Sequence, residues 1–155
     1  MRFSPQMERV LHLLTPDGET TVQIHIEYYS DQPVVSEDTV TSMSVRLVYD
    51  SHEYVGVGTN YPFMDAFVKI QKQLPDGVLL KGCVNCIHGN LCPYGGDPNL
   101  LLCTKQFVIT EKLDLVDHIA NDDITSNDTR EFADVCDDFA VQTPDRYTYS
   151  DYLYY

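Results

Sequence analysis

Apolar and polar residues alternate with period two through the first fifty positions of the chain, and the period then lengthens to that of a helix. Residues 9–14 (RVLHLL) and 20–29 (TTVQIHIEYY) flank Pro16-Asp17-Gly18, a turn signal between two β-favouring runs, and so predict a hairpin. In the second run Val22, Ile24, Ile26 and Tyr28 alternate with Gln23, His25 and Glu27, which gives one apolar face and one wet face. Met43, Val45, Leu47 and Tyr49 repeat the pattern after a connection containing Pro33 and Ser36, and predict a further strand.

Between Pro62 and Leu74 the positions Phe63, Ala66, Phe67, Ile70 and Leu74 fall on one helical stripe, with Asp65, Lys69, Lys72 and Gln73 off it. This predicts an amphipathic helix, capped near Asn60 and ended by Pro75-Asp76-Gly77. Gly56-Val57-Gly58 reads as a strand end before that cap rather than as a dinucleotide loop, since no third glycine follows. Val78-Leu79-Leu80 reads as a short strand that leads into Cys83. Residues 83–99 read as loop, residues 100–103 and 107–109 as strands, residues 111–120 as a short helix and residues 121–128 as a solvated connection.

The pattern predicts an α+β fold: an antiparallel β-rich N-terminal half with one amphipathic helix, a cysteine knuckle, and a C-terminal tail packed back on the body. A length of 155 residues suits a single domain. Within it we distinguish a β-rich region 1–82, a cysteine region 83–139 and an acidic, tyrosine-rich tail 140–155, with a weak boundary near residue 121.

Charge narrows the partners. The formal net charge is −14, and residues 111–155 carry 12 acidic against 3 basic side chains, a net of −9. Such a surface repels a phosphate backbone, so nucleic acid is not an expected partner, whereas a basic protein surface is. The first residues hold no apolar h-region and no apolar run is long enough to span a bilayer, so the expected location is cytoplasmic and no membrane partner is expected. In a reducing compartment five cysteines point to metal ligands or buried thiols rather than disulfides.

Four of those cysteines, Cys83, Cys86, Cys103 and Cys136, are spaced as C-x2-C followed by two singles. A tight C-x2-C turn presents two sulfurs to one ion at the ~2.3 Å zinc prefers, and later cysteines complete the tetrahedron. The fifth, Cys92, offers a second quartet, Cys83, Cys86, Cys92 and Cys103, closed by a shorter loop. The set with Cys136 has the merit of tying the acidic tail to the core. Four thiolates saturate a zinc ion, which makes the expected site structural; they also suit an iron–sulfur cluster, although no regular ferredoxin spacing is present. His88 is a substitute ligand by position, but a solvated loop histidine is the simpler reading. Asp122-Asp123 and Asp137-Asp138 read as solvated charge, and the match to a glycosylation acceptor at Asn127-Asp128-Thr129 as chance.

Leu74-Pro75-Asp76-Gly77, Cys83 and Cys86, Pro93-Tyr94-Gly95, Cys103, and Cys136-Asp137-Asp138-Phe139 together resemble an uncharacterised family of bacterial proteins. In that family an acidic β-rich region leads through Leu-Pro-x-Gly to C-x2-C, a Ser-Pro-Tyr-Gly loop, a third cysteine and a C-terminal C-x2-F. The resemblance covers about the second half of the chain. It implies a site and a fold and no reaction, and it places Cys92, where the family has serine, outside the ligand set.

The chain shows no H-E-x-x-H pair, no Walker lysine and no G-x-S-x-G elbow, so no enzyme signature is present. The expectation is a non-enzymatic protein with a structural zinc site that serves as a protein-interaction module. Two alternatives stand beside it: an acidic immunity-type inhibitor of a basic toxin, and an iron–sulfur or thiol redox protein. The terminal tyrosines, Tyr147, Tyr149, Tyr152, Tyr154 and Tyr155, suit either a partner surface or a cover for the core.

Overall fold

The fold is that of a computed structural model, which describes residues 6–30, 40–59, 62–92 and 100–143, without the side chains of Pro62 and Phe63. The expected Asn60 cap, the connection at Pro33 and Ser36, the Pro93-Tyr94-Gly95 loop and the terminal tyrosines lie outside the described residues. The class is α+β and β-rich. The chain falls into two compact units, Met1–Leu80 and Lys81–Tyr155.

The first unit is built on an antiparallel sheet. Strands β1 (Gln6–Thr15) and β2 (Gly18–Ser30) form the expected hairpin, with Thr15 opposite Gly18 across the turn. Gly18 sits at φ 121°, a conformation that penalises a Cβ, and the Thr15 hydroxyl donates to its carbonyl at 2.7 Å. Strand β3 (Val40–Tyr49) pairs with β2, and β4 (His52–Gly58) pairs with β3. With β5 (Leu79–Lys81) at the edge, the sheet order is β4-β3-β2-β1-β5.

Strand β4 is longer than the strand end read from Gly56-Val57-Gly58. Its hairpin turns at Asp50 and Ser51, both at positive φ (49° and 63°), a conformation usually given to Asn-Gly. Asp50-Ser51 carries no glycine to announce it.

Alternation holds strictly on the inner face. Leu11, Leu13, Ile24, Ile26, Met43 and Val45 are fully buried, and helix α1 (Pro62–Gln73) adds Met64, Ala66, Phe67 and Ile70. On the outer face His25 lies 3.3 Å from Glu27 and 3.6 Å from Glu8, while the Tyr29 hydroxyl donates to Glu27 at 2.6 Å.

Polar side chains of α1 fix its seat. Lys69 donates to the Val57 carbonyl at 2.6 Å and Gln73 to that of Val55 at 2.8 Å. Gln71 acts as a surrogate strand neighbour, donating to Val78 O at 3.0 Å and accepting from Leu80 N–H at 2.9 Å. The helix approaches β4 so closely at Gly56 that a Cβ there would overlap the Ala66 carbonyl and stand 2.9 Å from Ile70 Cγ1.

The second unit contains a three-stranded sheet in the order β6-β7-β8, formed by β6 (Gly89–Asn90), β7 (Leu100–Cys103) and β8 (Thr129–Glu131). Helix α2 (Lys112–Ala120) starts in a capping box between Glu111 and Asp114. Residues 107–109 are not the strand their composition predicts. Phe107 closes a turn onto Thr104 O and its ring packs 4.9 Å from His118, while Val108 is 79% exposed. A three-residue apolar run cannot choose between a strand and a turn, and here one ring contact decides.

Replacing Gly56 with alanine should destabilise the first unit by about 1–3 kcal/mol, because α1 must lift from β4. Thermal unfolding of the variant against Val57→Ala, whose parent side chain is 44% exposed, measures the cost of that close approach.

Candidate metal centre

Residues 83–90 form the turn that carries the cysteine pair. A single 3-10 turn, Cys83–Asn85, is closed by Asn85 N–H donating to Gly82 O at 3.0 Å, and Cys86 N–H donates to Cys83 O at 3.3 Å. The chain then turns again, with Gly89 N–H donating to Cys86 O at 2.9 Å. Gly89 is required here: a Cβ at this position would overlap the Cys83 carbonyl.

Two further segments bring in the other cysteines. Pairing of β6 with β7 sets Cys103 opposite Gly89, and Thr104 locks the pair by donating from its N–H to His88 O at 2.8 Å. The buried Asn90 amide completes this lock by donating to the Thr104 hydroxyl at 3.1 Å. Residues 132–142 run along the turn. Val84 N–H donates to Phe132 O and Cys83 N–H to Asp134 O; Ile87 N–H donates to Ala140 O and Gln142 N–H to Asn85 O. Cys86 and Val141 form a bridge pair, and Cys136 lies on the bend between these contacts.

Cys83, Cys86, Cys103 and Cys136 therefore line one pocket, together with His88, Leu101, Lys105 and Arg130. Cys92 is not among the lining residues. Accessibility grades the four: Cys86 is buried, Cys83 and Cys103 are partly so, and Cys136 is exposed. His88, read from sequence as a solvated loop residue, is half-buried at the pocket wall.

The pocket gathers the sulfurs without closing them on a point. Among the described residues no group of three or more His, Cys, Asp or Glu side chains is set as a finished metal cage. Sharing a pocket is the looser condition, and bringing four sulfurs to about 2.3 Å of one ion requires the carrying turns to tighten.

Electrostatics agree with the grouping. Burial pushes the Cys83 thiol up to about 12, and the neighbouring Cys86, Asp134, Cys103 and Cys136 push in the same direction. Lys105 pairs with Asp138 at 2.9 Å, which raises the ammonium and lowers the carboxyl. Arg130 donates to the carbonyls of Asn127 at 2.6 Å and Thr129 at 2.7 Å. Lys81 stands 5.6 Å over the ring of Phe139.

The paired acids are exposed, as read from sequence, and two of them also make surface ion pairs. Asp138 holds Lys105, and Asp123 meets His118 at 2.9 Å. Lys105, Arg130 and Gly89 escape a reading of cysteine spacing. Their signals are faint: Lys105 follows Cys103 by two positions, as Asp138 follows Cys136. Compared with models of known protein families the chain matches none, and no curated protein matches it either.

In chelator, the folded chain holds the Cys83 proton more tightly than the unfolded chain does. That contribution is complete below about pH 9 and is lost as pH rises toward 12. The urea midpoint of chelator-treated protein should fall across this range, and fall less in Cys83→Ala.

Proposed function

We propose that the chain is a non-enzymatic cytoplasmic protein-interaction module whose second unit is stapled by one zinc ion held by Cys83, Cys86, Cys103 and Cys136. The observation that carries this reading is the convergence of four cysteines from three separate segments on one pocket. The turn at Cys83 and Cys86 is then the cysteine knuckle, with residues 132–142 running along it, while residues 144–155 of the expected tail lie outside the described residues.

A scarcity of core gives the metal a purpose. Among the described residues of the second unit only Val84, Cys86, Leu101, Leu115 and Phe132 are buried apolar side chains. Units so poor in core commonly rely on a staple. A zinc ion with four thiolates has no open coordination position, so its contribution is structural.

Protein purified without added metal should contain one zinc per chain. Cys83→Ser, Cys103→Ser and Cys136→Ala should each abolish it, while Cys92→Ser keeps it. Hydrogen exchange after metal removal should accelerate at Cys83, Val84, Ile87 and Gln142 and stay unchanged in β1 to β3. Full zinc content in Cys83→Ser would end the proposal.

The partner is a protein with a basic surface. Its association rate should fall as salt rises, because charges are screened beyond roughly 8–10 Å at physiological ionic strength. Asp122→Asn with Asp137→Asn should slow association without loss of zinc. A rate indifferent to salt and to both substitutions would remove the acidic surface from the proposal.

A further inference from the structure

We infer that Lys105 is a positioning residue for the thiolate centre: held by Asp138, its ammonium offsets the charge at Cys103 and Cys136 and slows loss of the metal. This rests on the zinc reading above. Four thiolates around a divalent ion carry a net charge of about −2. A dianion of that kind sits poorly in a unit already rich in aspartate and glutamate, unless cations stand beside it.

Two of the five lysines and arginines in residues 81–155, Lys105 and Arg130, line the pocket. They differ in how they are held. Arg130 donates to the carbonyls of Asn127 and Thr129, which fixes it to the turn ahead of β8. Lys105 instead reaches across sequence to Asp138 at 2.9 Å.

That pair joins the strand bearing Cys103 to the segment bearing Cys136, each partner standing two residues beyond its cysteine. Lys105 lines the pocket and Asp138 does not, so the pair turns its positive end toward the sulfurs. Cys136 is the exposed cysteine of the set, so it is the first expected to leave an ion. A cation between Cys103 and Cys136 acts on that step.

The test is release of zinc from the full-length, zinc-loaded protein into an excess of a chromogenic chelator. Outer-shell partners of metal ligands typically contribute 10–100-fold in affinity, and for a part-exposed lysine the lower end applies. Lys105→Gln should therefore release zinc about tenfold faster than the wild type. Lys105→Arg should stay near the wild-type rate, and Lys112→Gln, outside the pocket, should not differ from it. Added salt should narrow the gap between Lys105→Gln and wild type. Release from Lys105→Gln at the wild-type rate would overturn the inference. So would Lys105→Arg as fast as Lys105→Gln, since packing rather than charge would then be the cause. Wild-type protein without stoichiometric zinc is a separate failure, visible before any variant is made, and it would take this inference with it.

Discussion

A scarcity of buried apolar side chains among its described residues is the constraint on which the second unit depends. Among the described residues, sixteen of the buried apolar side chains belong to the first unit and five to the second. Backbone hydrogen bonds between residues 132–142 and the cysteine turn add only about 1 kcal/mol each in net terms. Structural zinc contributes on the order of 10–16 kcal/mol in small metal-stapled domains, so the proposed ion would outweigh every other single interaction in the unit.

This ordering of magnitudes explains the arrangement of the segments. The cysteine turn is a local object, set by hydrogen bonds within residues 82–89 and by the absence of a Cβ at Gly89. Cys103 arrives by strand pairing and Cys136 by the long return of the chain after α2. Closing that return costs only slowly more as the loop lengthens, which is why so distant a cysteine is an affordable ligand. The first unit needs no such device, because its alternating strands and the α1 stripe bury a continuous apolar face.

Elements with a sustained period were legible from sequence. The β1–β2 hairpin, β3, α1, β7 and α2 all lie close to where alternation or helical spacing places them. What escaped was decided by single contacts. The turn into β4 uses Asp50 and Ser51 at positive φ without a glycine, and residues 107–109 lose strand pairing to a turn closed by Phe107 N–H on Thr104 O, with the Phe107 ring against His118. The site was legible as four cysteines but not as an environment. Lys105, Arg130 and the carbonyls that Gly89 must clear are brought in by strand register and by the course of residues 132–142, which spacing does not encode.

Saturation of the ion by four thiolates would carry a consequence for the surface. With no open position for substrate or water, such a centre would be structural, and the proposed module would act through the surface it displays. Two of its five cations are drawn to the pocket, and a third, Lys81, leans over the Phe139 ring. Withdrawing cations from an already acidic chain leaves the outward potential more uniformly negative than composition alone implies. On the proposed reading the metal centre and the partner preference would be one design: cations that steadied the thiolates would be cations withheld from the surface proposed to meet a basic protein.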